Sequence, residues 1–426
     1  MAPRSTLACA PALTATLAAI VNDPAVPLAG LAVLALRDGA ISYQAEFGRR
    51  WMAPTDVSGR PVVAGEADLP LRADSLVRVA SVSKMVTALG ALSLVELGKL
   101  DLDVDIGRYL GYPVRNPRHP HAPITLRQLL SHTSTLSDEA GYFFKPELSL
   151  KDVLMPGAAH AQGAKTWLPQ GEPGQWFSYA NLNWTLIGTL MERVSGERFD
   201  RLMQRLVLQP LGIDGGYYPP EFSADEQARI ATLYRKRSAD EVWQPSGAWQ
   251  VQKDDWRHAP EAASPALAGY VPGTNASLFS PTGGLRVSSD GLGRLLSGLL
   301  LKAERLPARH TPQWQFTPER PNGDSSEGLF QAWGLGVQRL LGRSGPQGGD
   351  RLDADAAFTG WGHFGEAYGA YSGVFYAPAR GNALVYLVTG VGNDPQAQRG
   401  RWSSLHRFEE RIADALVRCA IHGRAP

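Results

Sequence analysis

Arg78-Val79-Ala80-Ser81-Val82-Ser83-Lys84-Met85-Val86-Thr87 decides how this chain is read. It carries Ser-x-x-Lys at the start of a helical pattern. Val82, Met85, Val86, Leu89, Leu92 and Val95 recur at i, i+3, i+4 spacing, which predicts a helix from about Ser81 to Leu97. Gly98 stands where a helix stop belongs. Ser81 and Lys84 are three apart and share one face. A serine hydroxyl becomes a useful nucleophile when a base takes its proton. A lysine is that base only where burial or a nearby cation leaves it partly neutral. The predicted helix is apolar almost all round, so Lys84 is expected in a dry place. The helix N-terminus also leaves N–H groups beside Ser81 for a developing oxyanion. Ser-x-x-Lys is common by chance, so it needs partners elsewhere.

Two segments supply them. Phe177-Ser178-Tyr179-Ala180-Asn181 precedes a helix read over 183–194. Tyr179 and Asn181, two apart in an extended loop, point the same way. Tyr179 can hand protons between Ser81 and a leaving group, with Lys84 holding it as a phenolate or in a tight hydrogen bond. Asn181 can bind a substrate carbonyl. Read alone, the pair is better explained as loop polar residues that cap a helix. The second segment is Gly360-Trp361-Gly362-His363-Phe364-Gly365-Glu366. Its glycines make a strand edge that a substrate backbone can approach closely, Gly365 included. His363 can orient the acyl group, and the N–H of Glu366 can join that of Ser81 as an oxyanion donor. The run also fits Gly-x-Gly-x-x-Gly, but a strand rather than a helix follows, which excludes the dinucleotide reading.

Ser81-Val-Ser-Lys84, Tyr179-Ala-Asn181 and His363-Phe-Gly365, in that order, resemble the penicillin-binding-protein and class C β-lactamase-like superfamily of serine hydrolases. The resemblance covers nearly the whole chain, with Pro123–Ser134 and Phe279–Ser288 as further landmarks. It implies Ser81 as the acylated nucleophile, Lys84 as its activator and Tyr179 as general base and acid. It implies Asn181 as substrate-binding, and puts His363 in the slot that β-lactamases fill with lysine. Histidine there resembles the carboxypeptidases, D-aminopeptidases and esterases of the group, and weakens a β-lactamase assignment. Thr135 is a second departure, where glycine usually follows His-Thr-Ser; it is expected to alter a loop.

The remaining features bound the reading. The chain has 426 residues, 44% hydrophobic and 19% charged, with formal net charge +1, so no bulk field favours nucleic acid or acidic membranes. No stretch approaches the length of a membrane span. Two cysteines, Cys9 and Cys419, exclude a disulfide framework, although one bridge between the chain ends is open. As written the protein is expected in the cytoplasm, or in the periplasm or secreted if the true start lies upstream. No cofactor or metal is expected. Asp101-x-Asp103-x-Asp105 lacks the glycine and glutamate of a calcium loop, and His119-Pro-His121 is too cramped for zinc. The expected partner is a small ester, amide or short peptide.

Strand-like runs 31–36 and 40–47 flank Arg37-Asp38-Gly39, a strong hairpin signal, and a second hairpin is read over 371–376 and 383–388. Helices are read over 12–21, 199–207, from 289 to about 303, and from 405 to 420. Residues 238–275 are irregular, rich in tryptophan, and could serve as a lid. The fold is therefore read as α+β, an antiparallel sheet flanked by N- and C-terminal helices with an inserted all-helical lobe. Residues 1–100 and 276–426 form the sheet lobe and 101–275 the helical one, with the site between them. Tyr142, Phe143, Phe144, Trp361 and Tyr368 favour an apolar acyl group. The reading is a serine hydrolase of the esterase or D-amino-acid peptidase type. β-Lactamase, acyltransferase and non-catalytic binding protein are the alternatives on the same scaffold. A triad of Ser81, His132 and Asp138 is disfavoured, because no nucleophile elbow surrounds Ser81 and Lys84 would have no role.

Overall fold

A computed structural model describes residues 3–54, 62–63, 65–158, 160–238, 240–258, 267–301, 307–345 and 348–426. Residues 239 and 259–266 of the irregular stretch, and 302–303 at the end of the helix starting at 289, lie outside the described residues.

Helix α1 (Ala10–Val21) leads into strands β1 (Gly30–Arg37) and β2 (Ala40–Trp51). Asp38 and Gly39 join them at φ of 53° and 80°, the two positive dihedrals that a tight hairpin turn needs. Helix α2 (Val82–Glu96) begins at Ser81, and Gly98 with φ 66° follows its end. Helix α3 (Leu182–Ser195) belongs to the helical region. Two short strands, β3 (Leu233–Arg235) and β4 (Gln250–Lys253), come next. Then follow β5 (Gly360–Ala367), β6 (Ala370–Ala377), β7 (Asn382–Val388) and helix α4 (Arg407–Leu416).

Among the described residues the main sheet has nine strands. Its centre runs β2-β1-β7-β6-β5, every neighbour antiparallel, with Leu31 opposite Val388 and Val374 opposite Val385. Side chains alternate across it. Leu31, Val33, Phe375 and Tyr386 pack on α1 and α4 through Leu13, Leu17, Ile412 and Leu416. Leu34, Leu36, Val374 and Val385 pack on the other face against Met85, Leu89 and the helical region. Both faces are buried, so both sets of alternating positions are apolar. A disulfide joins Cys9, beside α1, to Cys419, just past α4, with Cα atoms 5.8 Å apart.

The class is α+β with the terminal helices on one face of an antiparallel sheet. The middle of the chain is less uniformly helical than expected. β3 pairs with the Gly390–Val391 strand and with β4, so residues 233–253 add to the sheet side of the molecule, although the sequence boundary at 275 put them in the helical lobe. These strands are three and four residues long, too short for periodicity to reveal. Ser288 caps the helix Ser289–Leu295, its hydroxyl accepting from Gly291 N. Among the described residues no helix is long and apolar enough to cross a membrane.

Candidate active site

Ser81 sits at the mouth of α2, and the turn before it is strained. Ala80 is held at φ 44°, a conformation that side chains other than glycine rarely adopt. The surroundings impose it: Val79 N–H donates to Leu285 O, and Ser372 Oγ donates to Val79 O at 2.8 Å. Ser83, one turn along, is fixed by Leu285 N–H donating to its Oγ at 3.0 Å.

Lys84 is fully buried. Its Nζ lies 3.0 Å from Ser81 Oγ and donates to the Thr282 carbonyl at 2.8 Å. Burial pushes its pKa down to about 7, against a smaller upward pull from the Asp138 carboxylate. Near neutrality a large share of Lys84 is therefore free amine, with a lone pair beside the serine hydroxyl.

Tyr179 is the third member. Its phenol hydrogen-bonds the Ser81 hydroxyl, and Lys84 Nζ lies 5.1 Å from its ring centroid. Burial raises the phenol's pKa well above its ordinary value, more than the Ser81 hydrogen bond lowers it. The phenolate considered from sequence is thus disfavoured; Tyr179 rests as a phenol. Its ring is clamped between His132, stacked at 4.5 Å, and Phe330, stacked at 5.4 Å.

His132 is consumed by that clamp. Its Nδ1 faces Ala180 N–H at 3.1 Å and its Nε2 faces Trp184 Nε1–H at 3.1 Å. Burial and the nearby Lys84 keep it uncharged. It has no free nitrogen with which to serve Ser81. Asp138 is also occupied. It accepts from Asn181 N, Asn181 Nδ2 and Leu182 N at 2.9, 2.8 and 2.9 Å, satisfying donors at the start of α3. Asn181 shares a cleft wall with Ser81, and among the described residues its side chain is seen to bond only Asp138, through one amide N–H. Thr135 takes the left-handed conformation at φ 66° that glycine would favour, and Asn116 Nδ2 donates to its Oγ1 at 3.0 Å.

β5 closes the other side. A Cβ on Gly365 would lie 2.9 Å from Ser81 N and 2.5 Å from both Val79 O and Ser372 Oγ, so only glycine lets the strand lie against the serine turn. Glu366 is next in line; its carboxylate accepts from Tyr371 O–H at 2.9 Å. His363 is 3% exposed. Its Nδ1–H donates to Phe364 O at 2.5 Å, and buried Nε2 has no hydrogen-bond partner among the described residues. Burial first, then Lys84, pushes its pKa down to about 3. His363 therefore offers a lone pair, not a positive charge.

Ser81 and Glu366 both border two clefts. One, of 540 Å³, is walled by Tyr179, Phe330, His363 and Tyr371; the other, of 730 Å³, by Tyr142, Phe143, Asn181, Lys253 and Tyr368. Of the aromatics singled out in the sequence, Tyr142, Phe143 and Tyr368 reach the larger cleft, whereas Phe144 packs on the core and Trp361 is buried in it.

A family model described as Beta-lactamase matches residues 19–406. The chain belongs to the Beta-lactamase family. Within it, the chain is 32% identical over 233 residues to a monacolin J acid methylbutanoyltransferase of Aspergillus terreus, covering 49% of this chain and 52% of that one. It is 28% identical over 167 residues to the D-alanyl-D-alanine-carboxypeptidase/endopeptidase AmpH of Escherichia coli, covering 39% and 42%. The chain spans about half, or less, of the length of these curated relatives. Two solved structures share the fold. One is a D-amino acid amidase from Ochrobactrum anthropi SV3 complexed with D-phenylalanine, with TM-score 0.60, 19% identity and coverage of 95% and 98%. The other is an octameric penicillin-binding protein homologue from Pyrococcus abyssi, with TM-score 0.61, 20% identity and coverage of 97% and 77%.

Sequence reading missed three features of this family member's site. The Thr282 carbonyl that holds Lys84 is backbone and has no side-chain signature. Phe330 and Trp333, which wall Tyr179, lie in a stretch without periodicity. The third is a buried ionic cluster at the larger cleft: Arg78 and Arg286 both hydrogen-bond Asp254, which is held well below the usual carboxylate range by the two guanidiniums despite its burial. Arg78, three residues before Ser81, was the one legible sign.

Proposed function

We propose that the chain is a serine hydrolase that cleaves an ester or amide through an acyl-Ser81 intermediate. The observation that carries this reading is a buried, half-neutral Lys84 amine 3.0 Å from the Ser81 hydroxyl. Ser81 Oγ attacks the acyl carbon while Lys84 Nζ accepts its proton. The N–H groups of Ser81 and Glu366 hold the oxyanion. As the carbon–heteroatom bond breaks, the Tyr179 phenol donates its proton to the departing oxygen or nitrogen and is reprotonated from Lys84. Water then attacks the acyl-serine, the same groups taking its proton and returning one to Ser81 Oγ. Asn181 orients the acyl carbonyl side, and His363 accepts a hydrogen bond from a substrate N–H or O–H.

The relatives' names support acyl chemistry: a methylbutanoyl transferase, a carboxypeptidase and an amidase. An uncharged His363 favours the esterase or D-amino-acid peptidase branch over β-lactam substrates, which would present a carboxylate to it. Transfer of the acyl group to an alcohol or amine is a second reading, favoured by the 32% identity to a transferase, and it shares the same intermediate. The test is a burst of p-nitrophenol from p-nitrophenyl butyrate with an adduct on Ser81 by mass spectrometry. Esters, D-amino acid amides, D-Ala-D-Ala peptides, nitrocefin and alcohol acceptors are compared in the same assay. A burst in wild type that is absent in Ser81→Ala supports the reading; equal release from both variants contradicts it.

The Cys9–Cys419 bridge favours an oxidising compartment over the cytoplasm expected from the written start. Alkylation of the protein from its native host would then find both thiols blocked until reduction.

A further inference from the structure

We propose that the larger cleft, whose wall holds Ser81 and three exposed aromatic side chains, binds a carboxylate of the substrate at Lys253. This rests on the acyl-Ser81 reading for what happens next to the bound group, but the subsite itself stands on charge and geometry.

Three cations and one anion meet at this cleft. Arg78 and Arg286 donate to the two oxygens of Asp254, Arg78 at 3.0 and 3.2 Å and Arg286 at 3.2 and 2.5 Å. That one carboxylate is shared between two guanidiniums and is fully buried. Lys253, adjacent in sequence, also lines the cleft, and its ammonium has no hydrogen bond or ion pair among the described residues. Glu366 borders the same cleft, but its carboxylate is turned to Tyr371 O–H at 2.9 Å and lies 3.8 Å from His406 Nε2. Among the described residues, Asp254 is therefore the one carboxylate set against three cations, and the patch keeps a net positive charge. Burial, then Arg78, with a smaller push from Arg286, lower the Lys253 pKa against an upward pull from Asp254.

The wall beside it is apolar and open. Tyr142, Phe143 and Tyr368 are 41%, 55% and 49% exposed, unusual for large apolar side chains, and all three face the cleft. Arg78 and Arg286 also line this cleft, but they are 7% and 3% exposed and held by Asp254, and Tyr368 lies over Arg78 with the guanidinium carbon 5.5 Å from the ring centroid, so Lys253 is the more accessible of the three cations. The matching ligand has an aryl or alkyl stretch ending in a carboxylate, within a volume of 730 Å³. A half-buried ammonium lacking hydrogen-bond acceptors gains a charge-assisted bond from it.

Ser81→Ala keeps the subsite and removes chemistry, so it reads binding directly. Calorimetry compares 4-phenylbutanoate with neutral 4-phenylbutanamide on Ser81→Ala, on Ser81→Ala with Lys253→Gln, and on Ser81→Ala with Lys253→Arg. The expected result is preference for the carboxylate, a drop of about tenfold in that preference with Lys253→Gln, the effect of one charge-assisted hydrogen bond, and recovery with Lys253→Arg. An unchanged carboxylate-to-amide ratio in Lys253→Gln, or no preference in the parent, overturns the proposal. Failure of the acyl-enzyme reading would show elsewhere, as no p-nitrophenol burst from wild-type protein, and would leave this binding result standing.

Discussion

On one side of Ser81 a 540 Å³ cleft runs past His363; on the other a 730 Å³ cleft runs past Lys253. Both are lined by basic side chains, yet they offer a ligand opposite things. His363 is 3% exposed and has lost its charge, with a pKa near 3, so the smaller cleft presents a lone pair. The other charges there are matched internally: Glu327 with Arg399, Glu366 with His406, and Glu409 accepting from Tyr386 O–H at 2.8 Å. In the larger cleft Lys253 is only half-buried and its ammonium has no ion-pair partner among the described residues, beside a cluster in which two arginines share one aspartate. Depth of burial decides which basic groups stay charged, and the count of local partners decides which charge is left for a substrate. Lys84, between the two, is deep enough to be half-neutral and so becomes a base rather than a cation.

Removing Lys84 should have the largest effect, since it abolishes the base shared by both sides. Lys84→Ala is expected to lower the acylation rate by about 10²–10⁴-fold with the fold retained, as single-turnover kinetics and circular dichroism would show. Unchanged turnover would refute its role. Gly365→Ala comes next. The added methyl meets Ser81 N at 2.9 Å and should push the oxyanion donors apart, at about 10²-fold in kcat. A kcat within error of wild type would mean that β5 does not help form the oxyanion hole. The smallest effect is the most specific. His363→Lys should put a cation in the smaller cleft and tighten KM for carboxylate-bearing esters there by about tenfold, near 1.4 kcal/mol, relative to neutral ones. An unchanged ratio would remove His363 as the reader of that side.

Much of this was legible. The Asp38-Gly39 turn fixed the first hairpin, and the Pro-, Gly- and Asn-bearing segment 377–382 between two strand-like runs fixed the second, because turn dihedrals restrict residue choice. Ser81, Lys84, Tyr179, Asn181, His363, Gly365 and Glu366 were all picked from short motifs, and the structure gathers them around one serine. The charge states were not legible, since whether His363 carries a proton depends on burial by β5 and its neighbours. The Asp254 cluster was hidden for a similar reason. Its members lie 176 and 32 residues apart in sequence, and only the fold brings them together. Strands as short as 233–235 leave no periodic trace, so their pairing with 390–391 emerged only in three dimensions.

The central claim is that a buried amine takes the proton of Ser81. The pH dependence of acylation, followed by stopped flow with p-nitrophenyl butyrate under single-turnover conditions, tests it most directly. The amine must be unprotonated to act, so the rate should rise with pH through a midpoint near 7, the folded-state pKa of Lys84, and level off above it. A rate still climbing toward pH 10, as for an ordinary lysine, or one flat across the range, would contradict the account.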